Sequence, residues 1–193
     1  MVTDLELVGG ALALEFANTR EGDPEPDHLR EPADLLAFGL RMNLVDDVAP
    51  PRGVERALAL RSAVDATFRA IAGGDEPPPR ALDALREFEA AAVGRGRIVR
   101  TAAGYDWAWD RDDPDTILHA VARSAVDLLR TGPLDRLKTC AVCPWLFLDA
   151  SRNRSRRWCS MNECGGRDKM KRYRARRATA GRSRGSGSPP RSA

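Results

Sequence analysis

The first 139 residues of this 193-residue chain contain no cysteine. No stretch approaches the roughly 18 consecutive apolar residues that a membrane-spanning helix requires. The N-terminal residues lack the basic and apolar regions of a secretory signal, so a cytoplasmic location is expected. There are only two histidines, His28 and His119, and neither belongs to a recognisable Ser/His/Asp or Cys/His arrangement. A glycine-rich phosphate-binding loop is also missing. These absences argue against a membrane protein and predict that the chain is not an enzyme.

Charge is distributed unevenly along the chain, although the net charge is only +3. Residues 136–193 carry 16 Lys or Arg against 3 Asp or Glu, a balance of +13. Residues 1–135 carry the other 15 Lys or Arg against 25 Asp or Glu, a balance of −10. This contrast predicts that the C-terminal part meets a polyanion and that the N-terminal part does not.

The acidic part of the chain has the pattern of a mainly helical domain interrupted by proline and glycine. Its first apolar segment, 5–18, fits a strand that continues as a short buried helix, although so short a run leaves the periodicity open. Asn18, Thr19 and Arg20 are interpreted as the cap that ends this helix, with a polar pocket as the alternative. The breaks and apolar spacings predict four more helices: about 32–43, from 54 to the glycines at 73–74, around 82–92, and 113–132.

The pattern changes between residues 97 and 110, where a β-hairpin is predicted. Tyr105, Trp107 and Trp109 alternate with Asp106 and Ala108, which is typical of a strand. The favoured role of this hairpin is to cover the helical core with three aromatic rings. The alternative role is to form one wall of a ligand pocket.

Four cysteines follow in the pattern Cys-x2-Cys-x15-Cys-x4-Cys: Cys140, Cys143, Cys159 and Cys164. A disulfide framework would be spread over a small secreted domain, so this clustering favours a metal. Four thiolates complete the tetrahedral coordination of zinc and leave no open position for a catalytic water. An iron–sulfur cluster also uses four cysteines. The spacing favours one structural zinc ion instead.

The residues between the two cysteine pairs are predicted to form a hairpin. In this hypothesis 145–148 is one strand, 151–155 is the turn, and Arg157-Trp158 belongs to the returning strand. A knuckle, a hairpin and a following helix together describe a treble-clef-like finger. Trp145, Phe147 and Trp158 are expected to be its small core rather than a platform for stacking bases.

Basic and glycine residues surround the predicted zinc site. Four thiolates on one zinc ion leave a charge of about −2, as a structural site of this kind implies. Backbone N–H groups of Gly165 and Gly166 are expected to approach the sulfurs, since glycine permits close contact. The nearby cations expected to offset the charge are Lys138, Arg156, Arg157 and Arg167.

A helix over 167–178 is predicted to follow the last cysteine. Like charges packed this densely destabilise an isolated helix by a few tenths of a kcal/mol per pair, so a polyanionic partner is expected. Met170 and Tyr173 form a narrow apolar stripe that is expected to pack on the finger or the N-terminal domain. The residues predicted to bind nucleic acid are Arg152, Arg154, Arg156, Arg157, Arg167, Lys169, Lys171, Arg172, Arg174, Arg176 and Arg177.

Two parts of the sequence resemble known families. The segment CAVCPWLFLDASR at 140–152, with RRWCSMNECGGRDK at 156–169, closely resembles the CGNR-type zinc finger of bacterial transcription regulators. The acidic part is similar to the ABATE domain of stress-induced transcription regulators, which usually precedes that finger. Its marks are GALALEFANT at 10–19, the helix start at 32–35 and the stretch at 124–129. One departure is Gly166, which stands where the family has its signature asparagine.

The sequence and this resemblance together predict an α+β, mainly α protein. An ABATE-like helical domain with a small β-hairpin occupies 1–135, a treble-clef-like four-cysteine zinc finger ending in a basic helix occupies 136–178, and a disordered basic tail occupies 179–193. The implied function is a zinc-containing transcription regulator that binds DNA through the finger.

The N-terminal domain is interpreted as the sensor or partner-binding module of this regulator. Expected partners are DNA and a small-molecule or protein effector, with no membrane, and a homodimer is left open. The alternative function is a zinc-stabilised RNA-binding or protein-interaction module. Competition for the protein by single-stranded RNA that is stronger than competition by duplex DNA would indicate this alternative.

Overall fold

A computed structural model describes residues 5–20, 27–46, 48, 51 and 53–183 of the chain, with side chains as far as residue 177. These residues form six α-helices and two separate antiparallel strand pairs, which is the mainly helical α+β class that the sequence predicted. In chain order the elements are α1 (Leu12–Ala17), α2 (Pro32–Arg41), α3 (Glu55–Gly73), α4 (Pro79–Arg95), β1 (Arg97–Thr101), β2 (Gly104–Ala108), α5 (Thr116–Thr131), β3 (Leu137–Thr139), β4 (Leu146–Leu148) and α6 (Gly166–Ser183).

Helix α1 lies at the centre of the N-terminal domain, in contact with both α3 and α5. Leu14 and Phe16 are completely buried, and Phe16 meets Phe38 of α2 edge to face with ring centroids 5.2 Å apart. A six-residue helix is too short to be stable alone, so burial of its apolar residues must stabilise it. Core packing thus accounts for the helix in the 5–18 segment.

The residues that precede α1 form no strand. The N–H groups of Val8 and Gly10 donate instead to the buried carboxylate of Glu15, over 3.2 Å and 3.0 Å. Because a side chain accepts these hydrogen bonds, residues 5–11 run as an irregular segment and no neighbouring strand is needed. The strand expected at the start of the chain is therefore wrong.

Helices α3 and α4 form the antiparallel pair that the sequence predicted. Gly74 ends α3 with a φ of +84°, a left-handed conformation that glycine adopts without steric cost. Pro79 is the first residue of α4, where a backbone N–H would have no acceptor within the helix, so proline costs no hydrogen bond there. Helix α5 then packs along α4 and closes the domain.

Strands β1 and β2 form the predicted hairpin, with Ile98 opposite Trp107 and Arg100 opposite Tyr105. Trp107 and Trp109 are half-buried, and the indole N–H of Trp109 donates to the carbonyl of Ala92 over 2.8 Å. Tyr105 is 75% exposed. The expectation that three rings cover the core is therefore correct for the two tryptophans and wrong for the tyrosine.

The second strand pair differs from the hairpin predicted inside the finger. Strand β4 pairs with β3, which precedes the first cysteine, with Lys138 opposite Phe147. Arg157-Trp158 forms no strand, because the carbonyl of Arg157 accepts from the N–H of Ala141 over 3.0 Å and the N–H of Arg156 donates to Asp149. The Cys-x2-Cys knuckle is therefore the loop of the β3–β4 hairpin.

Helix α6 extends to Ser183, five residues beyond the predicted end of the basic helix. Its described side chains contact the preceding helical turn, Met161–Gly165, and otherwise face outward. Residues 184–193, the rest of the predicted disordered tail, lie outside the described residues. None of the described helices has the length and apolar character needed to cross a membrane.

Candidate metal centre and nucleic-acid interface

Four sulfurs converge at one point of the C-terminal module. The Sγ atoms of Cys140, Cys143, Cys159 and Cys164 all lie within 4.8 Å of one another. Cys143 Sγ is 3.5 Å from Cys159 Sγ, which in turn is 3.6 Å from Cys164 Sγ. Zinc–sulfur bonds of about 2.3 Å place tetrahedral sulfurs roughly 3.8 Å apart. The four thiols are therefore spaced for one shared metal ion, and they are too far apart for disulfides.

Local structure brings each cysteine to this point. The N–H of Cys140 donates to the carbonyl of Trp145 over 2.9 Å, which closes the loop that carries the first pair. Cys164 lies in a π-helical turn, Met161–Gly165, whose start is capped by the Ser160 hydroxyl accepting from the N–H of Glu163. Cys159 immediately precedes the capping residue Ser160. The knuckle thus supplies the first two sulfurs, and the segment that leads into the turn supplies the other two.

The thiols cannot all ionise without a cation, because the four sulfurs are close together and largely buried. The hydrogen bond from Cys159 lowers the pKa of Cys143 to about 6, although burial opposes this change. The same hydrogen bond, with burial, raises the pKa of Cys159. Burial raises the pKa of Cys164 to about 12. A divalent cation would remove the repulsion that keeps these two protonated, so metal binding and deprotonation must occur together.

Comparison with known families agrees with this geometry. The profile of the ABATE family, described as "Putative stress-induced transcription regulator", matches residues 10–132. This chain belongs to the ABATE family. The CGNR zinc finger profile matches residues 136–177, directly after it. The four cysteines of this CGNR zinc finger are therefore positioned to bind one metal ion, and the predicted order of the two families and the single zinc ion are confirmed. A comparison with curated proteins finds no match.

The aromatic residues of the CGNR finger form its core, as expected. Phe147 is completely buried against the cysteines, and Trp145 and Trp158 pack around them at partial exposure. Val8, from the irregular segment of the ABATE domain, joins the same cluster. The finger is thus completed by a residue from the other end of the chain.

Asp149 is a residue of the finger whose role the sequence did not indicate. Its carboxylate is fully buried and accepts from Lys138 Nζ over 2.7 Å and from the N–H groups of Ser151 and Arg156 over 2.9 Å each. Burial favours the neutral acid, but these hydrogen bonds outweigh it and lower the pKa of Asp149. The ionised carboxylate therefore organises the loop that connects β4 to Cys159.

The cations and glycines near the zinc site act differently from the expectation. Lys138 neutralises Asp149, and Arg167 pairs with Glu163 over 3.5 Å. The N–H of Gly165 donates to the carbonyl of Ser160, and that of Gly166 to carbonyls of the π-helical turn. These glycine amides therefore stabilise the turn and do not donate to the cysteine sulfurs.

The arginines of the 151–157 loop divide into two groups. Arg156 belongs to the finger's own structure: its Nε donates to the carbonyl of Trp158 over 2.8 Å, and its guanidinium lies 5.0 Å from the Phe147 ring centre. Arg157 is exposed and lies over the Trp158 ring. Arg152 and Arg154 are exposed, and Arg154 pairs with Asp135. Arg152, Arg154 and Arg157 therefore form the accessible basic part of the loop.

Helix α6 carries the remaining predicted nucleic-acid contacts on its surface. Arg172 pairs with Asp168 over 3.2 Å, and Arg177 lies over the ring of Tyr173. Met170 and Tyr173 are 50% and 53% exposed, so the expectation that they pack on the protein is wrong. Within the described part of the chain, five exposed cations of this helix have no ion pair: Lys169, Lys171, Arg174, Arg176 and Arg177.

The ABATE domain holds the CGNR finger through a buried contact. The side-chain amide of Asn18 donates to the carbonyl of Leu146 over 2.9 Å, and its oxygen accepts from the N–H of Leu146 over 2.8 Å. The hydroxyl of Ser160 also donates to Glu6, and Arg69 donates to the carbonyl of Pro144. Asn18 does cap the end of α1, as expected, and in addition it fixes β4 to the domain.

An open groove of about 470 Å³ lies between the two modules. Trp107 and Trp109 of the hairpin region line one part of it, and Leu148 of the finger lines another. Arg123 stands in this groove with its guanidinium 5.9 Å from the Trp107 ring centre and in ion pairs with Glu89 and Asp127. The hairpin therefore lines one side of this open groove, and the alternative interpretation, that it forms one wall of a ligand pocket, stays a prediction.

Proposed function

We propose that this protein is a DNA-binding transcription regulator whose CGNR finger presents helix α6 to the phosphate backbone. The observation that carries the proposal is a densely basic helix that projects from a fixed metal centre with little contact to the rest of the protein. A helix with so much uncompensated positive charge is stabilised by a polyanion. A cytoplasmic location, where thiols stay reduced, is part of the same proposal.

One side of α6 is the best candidate for the phosphate contact. Arg167, Lys171 and Arg174 follow one another at spacings of four and three, so they share a face. They line an open groove of about 500 Å³ beside the π-helical turn. Lysine and arginine side chains of this kind fix a protein on the duplex and carry no sequence information by themselves.

The ABATE domain is proposed to act as the sensor in this regulator. The groove lined by Trp107, Trp109 and Leu148 supports this role, since a molecule bound there would contact the ABATE domain and the finger at once. Binding that changes the position of Leu148 would change the hairpin that carries Cys140 and Cys143. Binding of an effector would therefore change the conformation of the finger.

Titration of duplex DNA against salt tests the DNA-binding part. The logarithm of the affinity should fall linearly with the logarithm of salt concentration, by about 0.9 for each phosphate contact. Lys171→Ala/Arg174→Ala should lower that slope by roughly 1.8, corresponding to two contacts. The charge-matched control is Arg80→Ala/Arg86→Ala, which changes two exposed arginines of α4. Absence of duplex binding by the zinc-loaded protein at low salt would contradict the proposal.

A second candidate function is the binding of single-stranded RNA. Its support is Tyr173, an exposed ring beside Arg177 on the basic helix, because such a pair offers a surface on which a base can stack. Trp145 and Trp158 are poor probes of this function, since their substitution would disturb the finger core. Competition between single-stranded RNA and duplex DNA, measured for the wild type and Tyr173→Ser, separates the two functions. Preference for RNA that is lost in the variant supports the second.

A further inference from the structure

The β1–β2 hairpin is a basic segment within an acidic domain. Residues 97–108, which form it, carry Arg97 and Arg100 against one acidic residue, Asp106, whereas residues 1–135 as a whole carry an excess of ten acidic residues. The sequence pattern predicted only that this hairpin covers the core or forms a pocket wall, and that the acidic part of the chain does not meet a polyanion. Its charge is a separate property that neither role explains.

Arg97 and Arg100 are exposed and have no ion pair within the described residues. Several arginines of the same domain are paired: Arg61 with Asp27 at 2.5 Å, Arg111 with Asp46 at 2.7 Å, and Arg123 with Glu89 at 2.7 Å. Arg80, Arg95 and Arg130 are, like the two hairpin arginines, exposed and without an ion pair among the described residues. The guanidinium groups of Arg97 and Arg100 are therefore open to an anion from outside the protein.

The hairpin also exposes large apolar side chains. Directly opposite residues of an antiparallel pair point to the same face, so Ile98, Arg100, Tyr105 and Trp107 share one face. Ile98 is 66% exposed and Tyr105 is 75% exposed. A two-stranded hairpin is only marginally stable by itself. A surface of this kind gains stability when a partner covers it.

The hairpin and the finger are parts of one packed unit. Leu137 of β3 and Leu146 of β4 belong to the same hydrophobic core as the ABATE helices. The groove of about 470 Å³ has Trp107 of the hairpin and Leu148 of the finger in its lining. Since the exposed loop with Arg152 and Arg154 follows Leu148 closely, the two basic segments flank this groove. Their relative position is therefore set by the core.

We infer that the β1–β2 hairpin is a second DNA contact, which acts together with the finger. The DNA major groove is wide enough for a two-stranded ribbon, and a phosphate backbone runs along each side of it. Arg97 and Arg100 lie three residues apart on β1, so both can reach the backbone that runs beside this strand. Tyr105 would then contact sugars or base edges. This inference rests on the proposed function, because it requires DNA as the partner.

The experiment compares the salt dependence of duplex DNA binding among matched variants of the full zinc-loaded chain. Arg97→Ala/Arg100→Ala should lower the slope by roughly 1.8 if both arginines contact phosphates. Arg80→Ala/Arg86→Ala is the control, since it makes the same charge change in the first half of α4. At 1.5 Å per residue, Arg80 is about 22 Å from Arg95 along that helix. Zinc content and circular dichroism establish that each variant is folded.

Tyr105→Ser gives a second, independent test. This variant should weaken DNA binding while the salt slope stays the same, because it removes a contact without removing a charge. Loss of affinity in both hairpin variants, with the control unchanged, supports the inference. An unchanged slope in Arg97→Ala/Arg100→Ala overturns it.

Failure of this inference is distinguishable from failure of the proposed function. If the wild type binds duplex DNA and only Lys171→Ala/Arg174→Ala lowers the slope, the finger binds DNA and the hairpin does not. If the wild type does not bind duplex DNA at all, the result contradicts the proposed function itself. Light scattering gives the molar mass of each variant. If the hairpin variants change the molar mass and leave the salt slope of DNA binding unchanged, the hairpin joins copies of the chain and the inference is wrong.

Discussion

Asn18 and Leu146 are 128 positions apart in the chain, and the amide of one is paired with the backbone of the other. The pairing uses one donor and one acceptor on each side, so Asn18 replaces a neighbouring strand at the edge of β4. Gly9 continues this edge, since its carbonyl accepts from the N–H of Leu148 over 2.9 Å. The ABATE domain and the CGNR finger are therefore joined by hydrogen bonds as well as by the peptide chain.

Replacement of Asn18 should weaken this junction. Asn18→Ala removes two buried hydrogen bonds and leaves the N–H and carbonyl of Leu146 unsatisfied, which should cost about 2–4 kcal/mol. Chemical denaturation monitored by circular dichroism measures the loss. Asn153→Ala, at an exposed position of the finger loop, is the matched control and should change stability by less than about 0.5 kcal/mol. Equal effects of the two variants would contradict the prediction.

Asp149→Asn should destabilise the finger while the cysteines remain intact. The change leaves the partly buried Lys138 ammonium without its anion, and breaking a buried ion pair costs about 3–5 kcal/mol. The lower end is expected because Lys138 keeps some contact with solvent. The measurement is the free energy of unfolding of the zinc-loaded protein in denaturant. Asp135→Asn, which breaks the exposed pair with Arg154, should cost no more than about 1 kcal/mol.

Sequence patterns predicted the parts of the fold that depend on neighbouring residues. Proline and glycine at the helix ends located α2 to α5, and the cysteine spacing identified the metal centre. The partner of β4 was missed because Arg157-Trp158 has a local pattern suited to a strand, whereas in the structure Ala141 binds the backbone of Arg157 and Asp149 binds that of the preceding residue. Met170 and Tyr173 were misjudged because helical spacing identifies a shared face but does not show what lies opposite.

The roles of Asn18 and Asp149 were outside the reach of sequence patterns for a related reason. Asn18 looks like an ordinary helix end, and only the folded chain brings Leu146 to it. Asp149 lies within the CGNR motif, but a buried aspartate and an exposed one have the same local pattern. In both cases the decisive partner is distant or is a backbone group, which leaves no periodic signal.

Loss of one metal ligand should unfold the finger. Cys159→Ser replaces a buried sulfur that lies within 3.6 Å of two others, and the zinc-binding energy of such sites is folding energy. The variant should lose its zinc by elemental analysis and also the ellipticity of the finger. Val142→Ser is the control, because it puts serine into the knuckle and keeps all four sulfurs. A full equivalent of zinc in Cys159→Ser would show that this residue is not a ligand.

His119 should make the ABATE domain less stable in mild acid. Burial lowers the pKa of His119 below its usual 6.5, although Asp115 and Asp113 partly oppose this. Below pH 6.5 the unfolded chain then binds more protons than the folded protein, so the free energy of unfolding falls as the pH falls. His119→Gln should reduce this pH dependence between about pH 7.5 and pH 5.5.

Histidine NMR titration measures the same property directly, with signals assigned through the His28→Gln variant. A pKa of His119 at or above 6.5 would contradict the prediction. Comparison of each variant with the wild type at the same pH also separates the contribution of His119 from acid release of zinc, because the finger is identical in both proteins.

Gly166, which stands where the family has asparagine, should tolerate a side chain. A Cβ atom built there meets nothing within 4 Å, and the φ of −62° is ordinary for a helix. Gly166→Ala should therefore stabilise α6 by up to about 1 kcal/mol, and Gly166→Asn by a smaller amount, with zinc stoichiometry unchanged. Gly96→Ala is the contrasting case, since its Cβ would lie 2.7 Å from the Trp107 ring, and it should destabilise the protein. Thermal unfolding of the three variants measures the order of their stabilities. Loss of zinc in Gly166→Asn would mean that this position must remain free of a side chain for the metal centre to form.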